Sequence, residues 1–512
     1  MNKTLTAGTP WRVILVFTIP LLIGNVVQQL YQVVDAMVVG QAIGVNALAA
    51  VGATGSFLFF LIGFAWGMTS GFAIPTAQAY GAGDHAAVRK SVTTGAWLTG
   101  AFSVLITIAA PPIARSVLEV MQTPPELIDD ATTFAVVSFL GASGTMFFNY
   151  LSAIIRAIGN SRTPLVFLIV SCLINMVLVI VMVRAMHLGV AGAALATCIA
   201  QGVSVVLCLW YVLRSVPDLH VQRADWRLDR AAIKLHLRLG LPMGFMASII
   251  AIGTLSVQVR LNTLGADAVA AFTTATRVDG LAVAFLGSLG LAVSTYAAQN
   301  WGAGKIDRIK VGVRQSLIMS FIGSFVLAAI LITVGEPIVR LFVGSGSDVS
   351  DVVHMSHEYL IVNGLLYFSL GILFVARNAI QGLGRPLIPT ISGMVELVMR
   401  VAAAIILGGM FGFVGIIWSS PLAWIGAAAM LLPSWIKARR SLDADYAEHV
   451  RATSSSLISD DSSTSSASHL PAPVVVGMAE PDRELAESVL ADAELLSTEV
   501  DAELLASSSC TD

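Results

Sequence analysis

The chain has 512 residues, of which 56% are hydrophobic and only 12% are charged, and its mean hydropathy is +0.82. Soluble proteins carry about 25% charged residues, so this composition excludes an ordinary soluble enzyme and predicts a bundle of membrane helices in a lipid bilayer. The net charge of −3 conceals a division, because residues 441–512 carry a net charge of −13 and the preceding body a net charge of +10.

The hydropathy pattern predicts twelve membrane spans, and the fold class is therefore an all-α polytopic membrane protein. A helix needs about 20 apolar residues to cross the hydrocarbon core of a bilayer. Twelve segments are long enough, at approximately 13–38, 47–80, 91–113, 131–157, 163–185, 189–213, 236–262, 268–298, 313–335, 355–381, 387–409 and 414–436.

Lys and Arg residues gather in alternate connections between these spans, which predicts the orientation. If the N-terminus is cytoplasmic, the basic groups such as Arg89, Lys90 and Arg162 lie inside, and acidic groups gather outside. The protein is predicted to lie in the plasma membrane. The positive-inside rule then predicts that both termini are cytoplasmic. The predicted parts are an N-terminal lobe of six helices, a cytoplasmic connection and a C-terminal lobe of six helices, at 1–213, 214–235 and 236–440.

The remaining residues, 441–512, form an acidic tail rich in serine. Such low-complexity sequence cannot bury a core, so the prediction is a disordered cytoplasmic tail. Residues 480–506 repeat acidic, Leu and Ala positions. The alternative of a short amphipathic helix that binds a cytoplasmic partner stays open for them.

An internal repeat relates the two sets of six spans. Short motifs recur in order at offsets of 221–225 residues, pairing 19–22 with 241–244, 81–83 with 302–304, and 156–159 with 381–384. Six spans separate the copies, so both copies have the same orientation and are related by an axis along the membrane normal. Two like-oriented lobes with a central cleft favour alternating access over a static channel.

Three segments carry a resemblance to a known family. Residues 28–35 (QQLYQVVD), 155–160 (IRAIGN) and 298–304 (AQNWGAG) resemble segments of the multidrug and toxic compound extrusion (MATE) transporters, and most of all the DinF-like bacterial branch. The resemblance covers about residues 10–438. It implies a MATE/MOP-like fold of twelve helices in two lobes, and efflux of mostly cationic, amphipathic compounds against inward Na⁺ or H⁺.

Asp35 is the sharpest candidate for a functional residue. An ionisable group within an apolar span costs a few kcal/mol, so it normally faces a cavity or a partner. At 100° per residue, four polar side chains fall within about 80° and are predicted to face the lobe interior as one stripe: Asn25, Gln28, Gln32 and Asp35. Burial favours a protonated carboxyl, and the ionised form can hold Na⁺. The matching family aspartate binds the coupling ion; the alternative is a carboxylic acid fixed by hydrogen bonds between helices.

Further polar residues of the first lobe resemble family positions at or near the ion site: Asn175, Thr197 and Gln201. Hydrogen bonds between helices are the alternative for them. Some relatives place a second carboxylate where this chain has Val179, and its absence favours H⁺ over Na⁺. Pro20 is linked in relatives to bending of the first helix, and a proline near the first turn of that helix is the alternative.

The second lobe has Ser256 at the position that matches Asp35, so coupling is predicted to be confined to the first lobe. Glu396 and Arg400 are four residues apart, which predicts a pair on one helix face. Such a pair either is structural and lines the second lobe or contacts the substrate. Arg277 and Asp279 are predicted to anchor a polar wall together.

These features predict a cation-coupled antiporter, with H⁺ favoured over Na⁺, that exports amphipathic, often cationic, small molecules by alternating access. The alternative is a flippase for lipid-linked sugars, which would have a more basic cleft. The sequence has no interpretable catalytic constellation and no Walker-type loop, so an enzyme is not expected. No cofactor, no nucleic acid partner and no metal are expected, apart from Na⁺ at Asp35.

Overall fold

The computed structural model describes residues 4–343 and 350–461. We call α1–α7 the N-terminal half and α8–α14 the C-terminal half. The helices of the N-terminal half are α1 (Pro10–Ala42), α2 (Val45–Ala82), α3 (His85–Val120), α4 (Ile128–Leu140), α5 (Ala142–Ala157), α6 (Arg162–Ile180, extended by the π-helical turn Val181–Ala185) and α7 (Gly189–Ser215).

The C-terminal half also consists mainly of long helices, and its last helix is longer than a membrane is thick. Its helices are α8 (Arg230–Asn262), α9 (Ala266–Gly302), α10 (Ile306–Val343), α11 (Ser350–Gly382), α12 (Leu387–Phe411), α13 (Phe413–Ile417) and α14 (Ser419–Asp461). The connection between the halves contains two short 3₁₀ turns, Pro217–Leu219 and Arg223–Trp226.

The number of membrane spans agrees with the sequence. Eleven helical segments of the described residues are long and apolar enough to cross a membrane, and α4 with α5 makes a twelfth when counted as one bent span. The predicted all-α fold class is therefore confirmed.

The span predicted as one helix over 131–157 is broken in the structure. The axes of α4 and α5 differ by 48°, and Gly141 lies at the break. A Cβ atom added to Gly141 would lie 2.0 Å from the Cys198 Sγ atom. The helix α7 therefore comes so close to the break that only glycine fits at position 141. The prediction of a continuous helix was wrong because hydropathy does not register this contact.

The predicted start of a disordered tail at residue 441 is also wrong. The helix α14 continues to Asp461, and Leu442 is fully buried. Asp443 accepts a hydrogen bond from Lys310 Nζ at 2.8 Å, and Asp445 accepts one from Arg385 Nη2 at 2.6 Å. These ion pairs attach the acidic end of α14 to the basic surface of the C-terminal half. The amphipathic segment predicted at 480–506 lies outside the described residues.

The two halves interlock at one end of the bundle, where α2 and α9 end. A Cβ atom at Gly81 would lie 1.9 Å from the Gln299 carbonyl oxygen, and one at Gly302 would lie 1.8 Å from the Gln78 carbonyl oxygen. The repeated glycines are therefore required for contact between the two backbones. We call this region, together with residues 4–9, the closed end.

Residues 4–9 fasten the start of α1 to the C-terminal half at the closed end. The Leu5 amide donates to Gln299 Oε1 at 2.8 Å, and Asn300 Nδ2 donates to the Leu5 carbonyl at 3.3 Å. Arg308 Nη1 donates to the Gly8 carbonyl at 2.9 Å. The Leu5 side chain is 3% exposed and packs in the core of the C-terminal half.

Away from the closed end, the halves separate. A Cβ atom at Gly67 or Gly71 of α2 would lie 2.4 or 2.6 Å from the backbone of α8, whereas one at Gly52, Gly55 or Gly63 would meet nothing within 4 Å. The hydrogen bonds that join the halves within the described ranges also stop at mid-bundle. The central cleft therefore opens toward the end opposite the closed end.

Candidate functional site

Asp35 lies in a cavity of about 240 Å³ between α1 and α6. Most of the lining is aliphatic, and the polar lining residues are Tyr31, Asp35, Cys172 and Asn175. Val179, at the position where some relatives place a second carboxylate, is 1% exposed and lines the same cavity. Asp35 thus carries the single carboxyl group among the residues that line this cavity.

The Asp35 carboxyl group is not satisfied by its surroundings. Its Oδ1 atom is buried and has no hydrogen-bond partner among the described residues. A buried ionised carboxylate without a compensating charge is strongly unfavourable. A bound proton or a bound cation removes that cost, so the cavity is suited to exchange one of them.

A hydrogen-bond network adjoins the Asp35 cavity and joins three helices. Asn175 Nδ2 of α6 donates to Thr197 Oγ1 of α7 at 3.0 Å, and the Tyr31 hydroxyl of α1 lies 3.1 Å from the same oxygen. Thr197 Oγ1 directs its own proton to the Ala193 carbonyl at 3.3 Å, so Tyr31 is the donor in its bond to Thr197. The predicted residues Asn175 and Thr197 are therefore in contact, whereas Tyr31 was not identified from the sequence.

The predicted polar stripe of α1 divides in the structure. Asn25 Nδ2 donates to Ser288 Oγ of α9 at 2.8 Å, so Asn25 faces the C-terminal half. Gln28 and Gln32 are exposed and do not line the Asp35 cavity. The prediction that these three face the lobe interior with Asp35 was therefore wrong.

The reason is the direction of the cavity relative to α1. Cavity-lining residues of α1 centre between Val27 and Val38, about 90° from Gln28, on the side away from Gln32. Asp35 lies between these directions, at the edge of the cavity-facing side. The helical wheel placed the polar residues correctly relative to one another, but it does not reveal where the neighbouring helix leaves space.

Gln201 and Pro20 lie outside the Asp35 cavity. Gln201 is on α7 beside α5, and its Oε1 atom is buried without a hydrogen-bond partner in the described part of the chain. Pro20 is buried ten residues after Pro10, at which α1 begins. The alternative of a first-turn proline is therefore wrong, and Pro20 leaves the Val16 carbonyl without its usual helical donor.

The C-terminal half has a cavity of similar size, about 220 Å³, with a different chemistry. Glu396 Oε2 accepts from Arg377 Nη2 at 2.7 Å, and Glu396 Oε1 accepts from Arg400 Nη2 at 2.8 Å. The side chains of Arg377 and Glu396 are 3% and 7% exposed. The predicted contact between Glu396 and Arg400 is present, whereas Arg377, on α11, was not found from the sequence.

Asp279 lines the same cavity as Glu396 and accepts a hydrogen bond from the Tyr367 hydroxyl. Arg277 is exposed, and it does not line this cavity. Residues two apart on a helix point in different directions, so the predicted wall of Arg277 with Asp279 does not form.

Comparison with known proteins identifies the family. The family model MatE matches residues 20–181 and 242–406, which is well over half of the chain. The chain belongs to the MatE (MATE) family of transporters. It is therefore a membrane transporter and not an enzyme, and its setting is a lipid bilayer with small molecules as substrates.

Sequence relatives of this MATE chain are named for multidrug resistance and export. It is 29% identical over 388 residues to the "Probable multidrug resistance protein YoeA" of Bacillus subtilis (strain 168), which covers 74% of this chain and 83% of the relative. It is 22% identical over 410 residues to the "Multidrug export protein MepA" of Staphylococcus haemolyticus (strain JCSC1435), covering 80% and 89%. These relatives do not favour the flippase alternative.

Solved structures show the same fold. A crystal structure of "MATE in complex with MaL6" superposes with a TM-score of 0.81 at 22% identity, covering 86% of this chain and 99% of the other. The "Outward-facing conformation of a multidrug resistance MATE family transporter of the MOP superfamily" gives a TM-score of 0.80 at 22% identity, covering 86% and 99%. Among the described residues, no group of three or more His, Cys, Asp or Glu side chains is placed to hold a metal ion.

Proposed function

We propose that this MATE transporter is an antiporter that exports amphipathic, often cationic, small molecules in exchange for an inward-moving cation bound at Asp35. The buried and unpartnered Asp35 Oδ1 atom carries the proposal. A carboxylate in an apolar cavity is stable only with a proton or cation, so its occupancy responds to the ion gradient across the membrane.

H⁺ is the proposed coupling ion in preference to Na⁺. A Na⁺ ion needs several oxygen ligands, and the lining of the Asp35 cavity is mostly aliphatic, with a valine at position 179. A proton needs only the carboxyl group itself. The network at Thr197 then holds Tyr31 and Asn175 in place beside the acid.

Coupling requires that the ion site changes when the two lobes change their arrangement. We assign the lobes to 1–213 and 236–440, joined by 214–235, and the seal between them to the closed end. With both termini in the cytoplasm of a plasma membrane, as the basic connections favour, the closed end faces the cytoplasm and the cleft opens outward. Pro20 lies in α1 between the closed end and Asp35, and it weakens the helix there.

The experiment is dye efflux from proteoliposomes under separately imposed H⁺ and Na⁺ gradients, with protein-free liposomes as the control. We expect the H⁺ gradient to drive efflux of a cationic dye at least several-fold above the control, and the Na⁺ gradient alone to have little effect. Efflux driven by Na⁺ alone would overturn the choice of ion. Dye movement that is independent of both gradients would overturn coupled antiport.

A further inference from the structure

A third cavity lies between the two halves, directly beside the closed end. It has a volume of about 40 Å³, and its lining comes from α2 and α5 of the N-terminal half and from α8, α9 and α11 of the C-terminal half. Its lining includes Ala77 and Ala298, the neighbours of the sealing residues Gln78 and Gln299. The cavity is thus at the floor of the central cleft.

Arg156 is the single charged residue in the lining of this cavity. Its guanidinium has no hydrogen bond and no ion pair with any residue that the structure describes. A guanidinium has five N–H donors and stays protonated in proteins. Hydroxyl and amide groups of Ser70, Ser294, Thr295 and Asn378 complete the polar lining without supplying a negative charge.

The helix end by itself does not account for this charge. Arg156 is in the last turn of α5, where the helix dipole favours a cation. The internal repeat offers a control, because Gln381 occupies the matching position near the end of α11. That helix ends at Gly382 without a basic residue in its last turn. The same architecture therefore forms with a neutral residue in one copy.

We propose that this cavity binds the carboxylate of a transported molecule through the Arg156 guanidinium. The inference rests on the proposed export function and specifies its substrates: zwitterionic or anionic amphipathic compounds are included, with the acidic group at the cleft floor. A cavity of about 40 Å³ holds roughly three water molecules, which suits a carboxylate and excludes a ring system. Charge-assisted hydrogen bonds from a guanidinium to a carboxylate are among the strong ones.

The position also links binding to the closed end. The lining residues of the two halves face each other in the arrangement in which Gly81 and Gly302 contact the opposite backbones. A carboxylate that touches both sides therefore stabilises this arrangement. Cations are disfavoured at the same place because Arg156 has no acidic neighbour in the lining.

The test compares two dyes that differ in one group: tetramethylrhodamine free acid, a zwitterion, and its methyl ester, a cation. Binding of each dye to the purified full-length protein is measured by fluorescence polarisation. For Arg156→Gln we expect about a tenfold or greater loss of affinity for the free acid, since a hydrogen bond between charged groups is lost, and less than about a twofold change for the ester. Arg156→Lys keeps the charge and is expected to fall between Arg156→Gln and the wild type.

Arg162→Gln is the matched control, because Arg162 is exposed six residues further along and does not line the cavity. It should bind both dyes as the wild type does. The carboxylate site would be overturned if Arg156→Gln lost equal affinity for the acid and the ester, or lost affinity for neither. It would also be overturned if the wild type did not bind the acid. If the acid binds through Arg156 but neither dye leaves proteoliposomes under any gradient, the site stands and the export function fails.

Discussion

The two lobe cavities are nearly equal in size and opposite in electrostatic design. In the N-terminal half, one carboxylate with an unpartnered oxygen lies among aliphatic side chains. In the C-terminal half, both carboxyl oxygens of Glu396 accept from arginines, and Asp279 accepts from Tyr367. A group that must take up and release an ion needs an unbalanced charge, whereas a balanced network resists any change of charge. This difference supports the proposal that the first cavity exchanges an ion, and it predicts that the second holds α11 and α12 together.

The internal repeat makes this difference informative, because matching sequence positions in the two halves carry different side chains. Ser256 matches Asp35, and its hydroxyl donates to the Ile252 carbonyl of its own helix. The C-terminal copy therefore offers no exchangeable carboxyl at that position. Among the matched positions, the exchange of Asp35 for Ser256 is the one on which the proposed coupling depends.

The largest expected effect is on transport by Asp35→Asn. The amide is neutral and nearly isosteric, so it cannot gain or lose a proton. Gradient-driven efflux should fall below about one-tenth of the wild-type rate, since a coupling free energy is typically about 1–3 kcal/mol. The midpoint of thermal unfolding should not decrease, because an unpartnered buried carboxylate is removed. Wild-type efflux by this variant would refute the role of Asp35.

The opposite result is expected for Glu396→Gln in the second cavity. Removing this acid leaves two arginines buried without their shared partner, which costs about 3–5 kcal/mol of folding free energy. Thermal unfolding of the purified variant should begin well below that of Asp35→Asn. If both variants unfold at the same temperature, the distinction between an exchange site and a structural network is lost.

A double variant, Glu396→Gln with Arg377→Met, sharpens that distinction. Arg377 is the more buried of the two arginines, so its removal should recover about 1–3 kcal/mol of the stability lost in Glu396→Gln, as expected for directly contacting groups. The measurement is a double-mutant cycle that includes Arg377→Met alone. Additive losses would show that the two residues stabilise the protein independently.

A smaller, qualitative change is expected from Val179→Asp. This substitution adds a second carboxylate to the Asp35 cavity, one turn from Asn175, and so supplies further oxygen ligands for a cation. Efflux by the variant should become several-fold faster when Na⁺ is present, with Val179→Asn as the matched control. An unchanged response to Na⁺ would indicate that the missing carboxylate does not determine ion choice.

The sequence predicted most of the fold because hydropathy and charge bias act over whole helices. The twelve spans follow from apolar stretches of about 20 residues or more, and the repeat follows from an ordered series of short motifs, so single contacts alter neither. The break at Gly141 and the helix beyond residue 440 were missed, since each depends on a contact with a distant segment. Cys198 of α7 lies against the break at Gly141, and Lys310 pairs with Asp443 of the extended α14.

The candidate site was also predicted only in part, because the sequence reveals unusual residues but not their contacts with other helices. Asp35 was identified because a carboxyl group within an apolar span is rare and costly. Tyr31 and Arg377 escaped notice because their importance arises from partners on other helices: Thr197 for the first and Glu396 for the second. Spacing along one helix found the Glu396–Arg400 pair but carries no information about a third group from a neighbour.

The attachment of residues 4–9 to α9 and α10 also affects where a label or a fusion can be placed. Lys305 Nζ and Arg308 Nη1 donate hydrogen bonds to the carbonyl groups of Thr6 and Gly8. Under the proposed alternating access, opening of the closed end would separate these residues. A fluorophore attached at Thr4 is then expected to report that motion, and a bulky fusion next to it is expected to shift the conformational equilibrium.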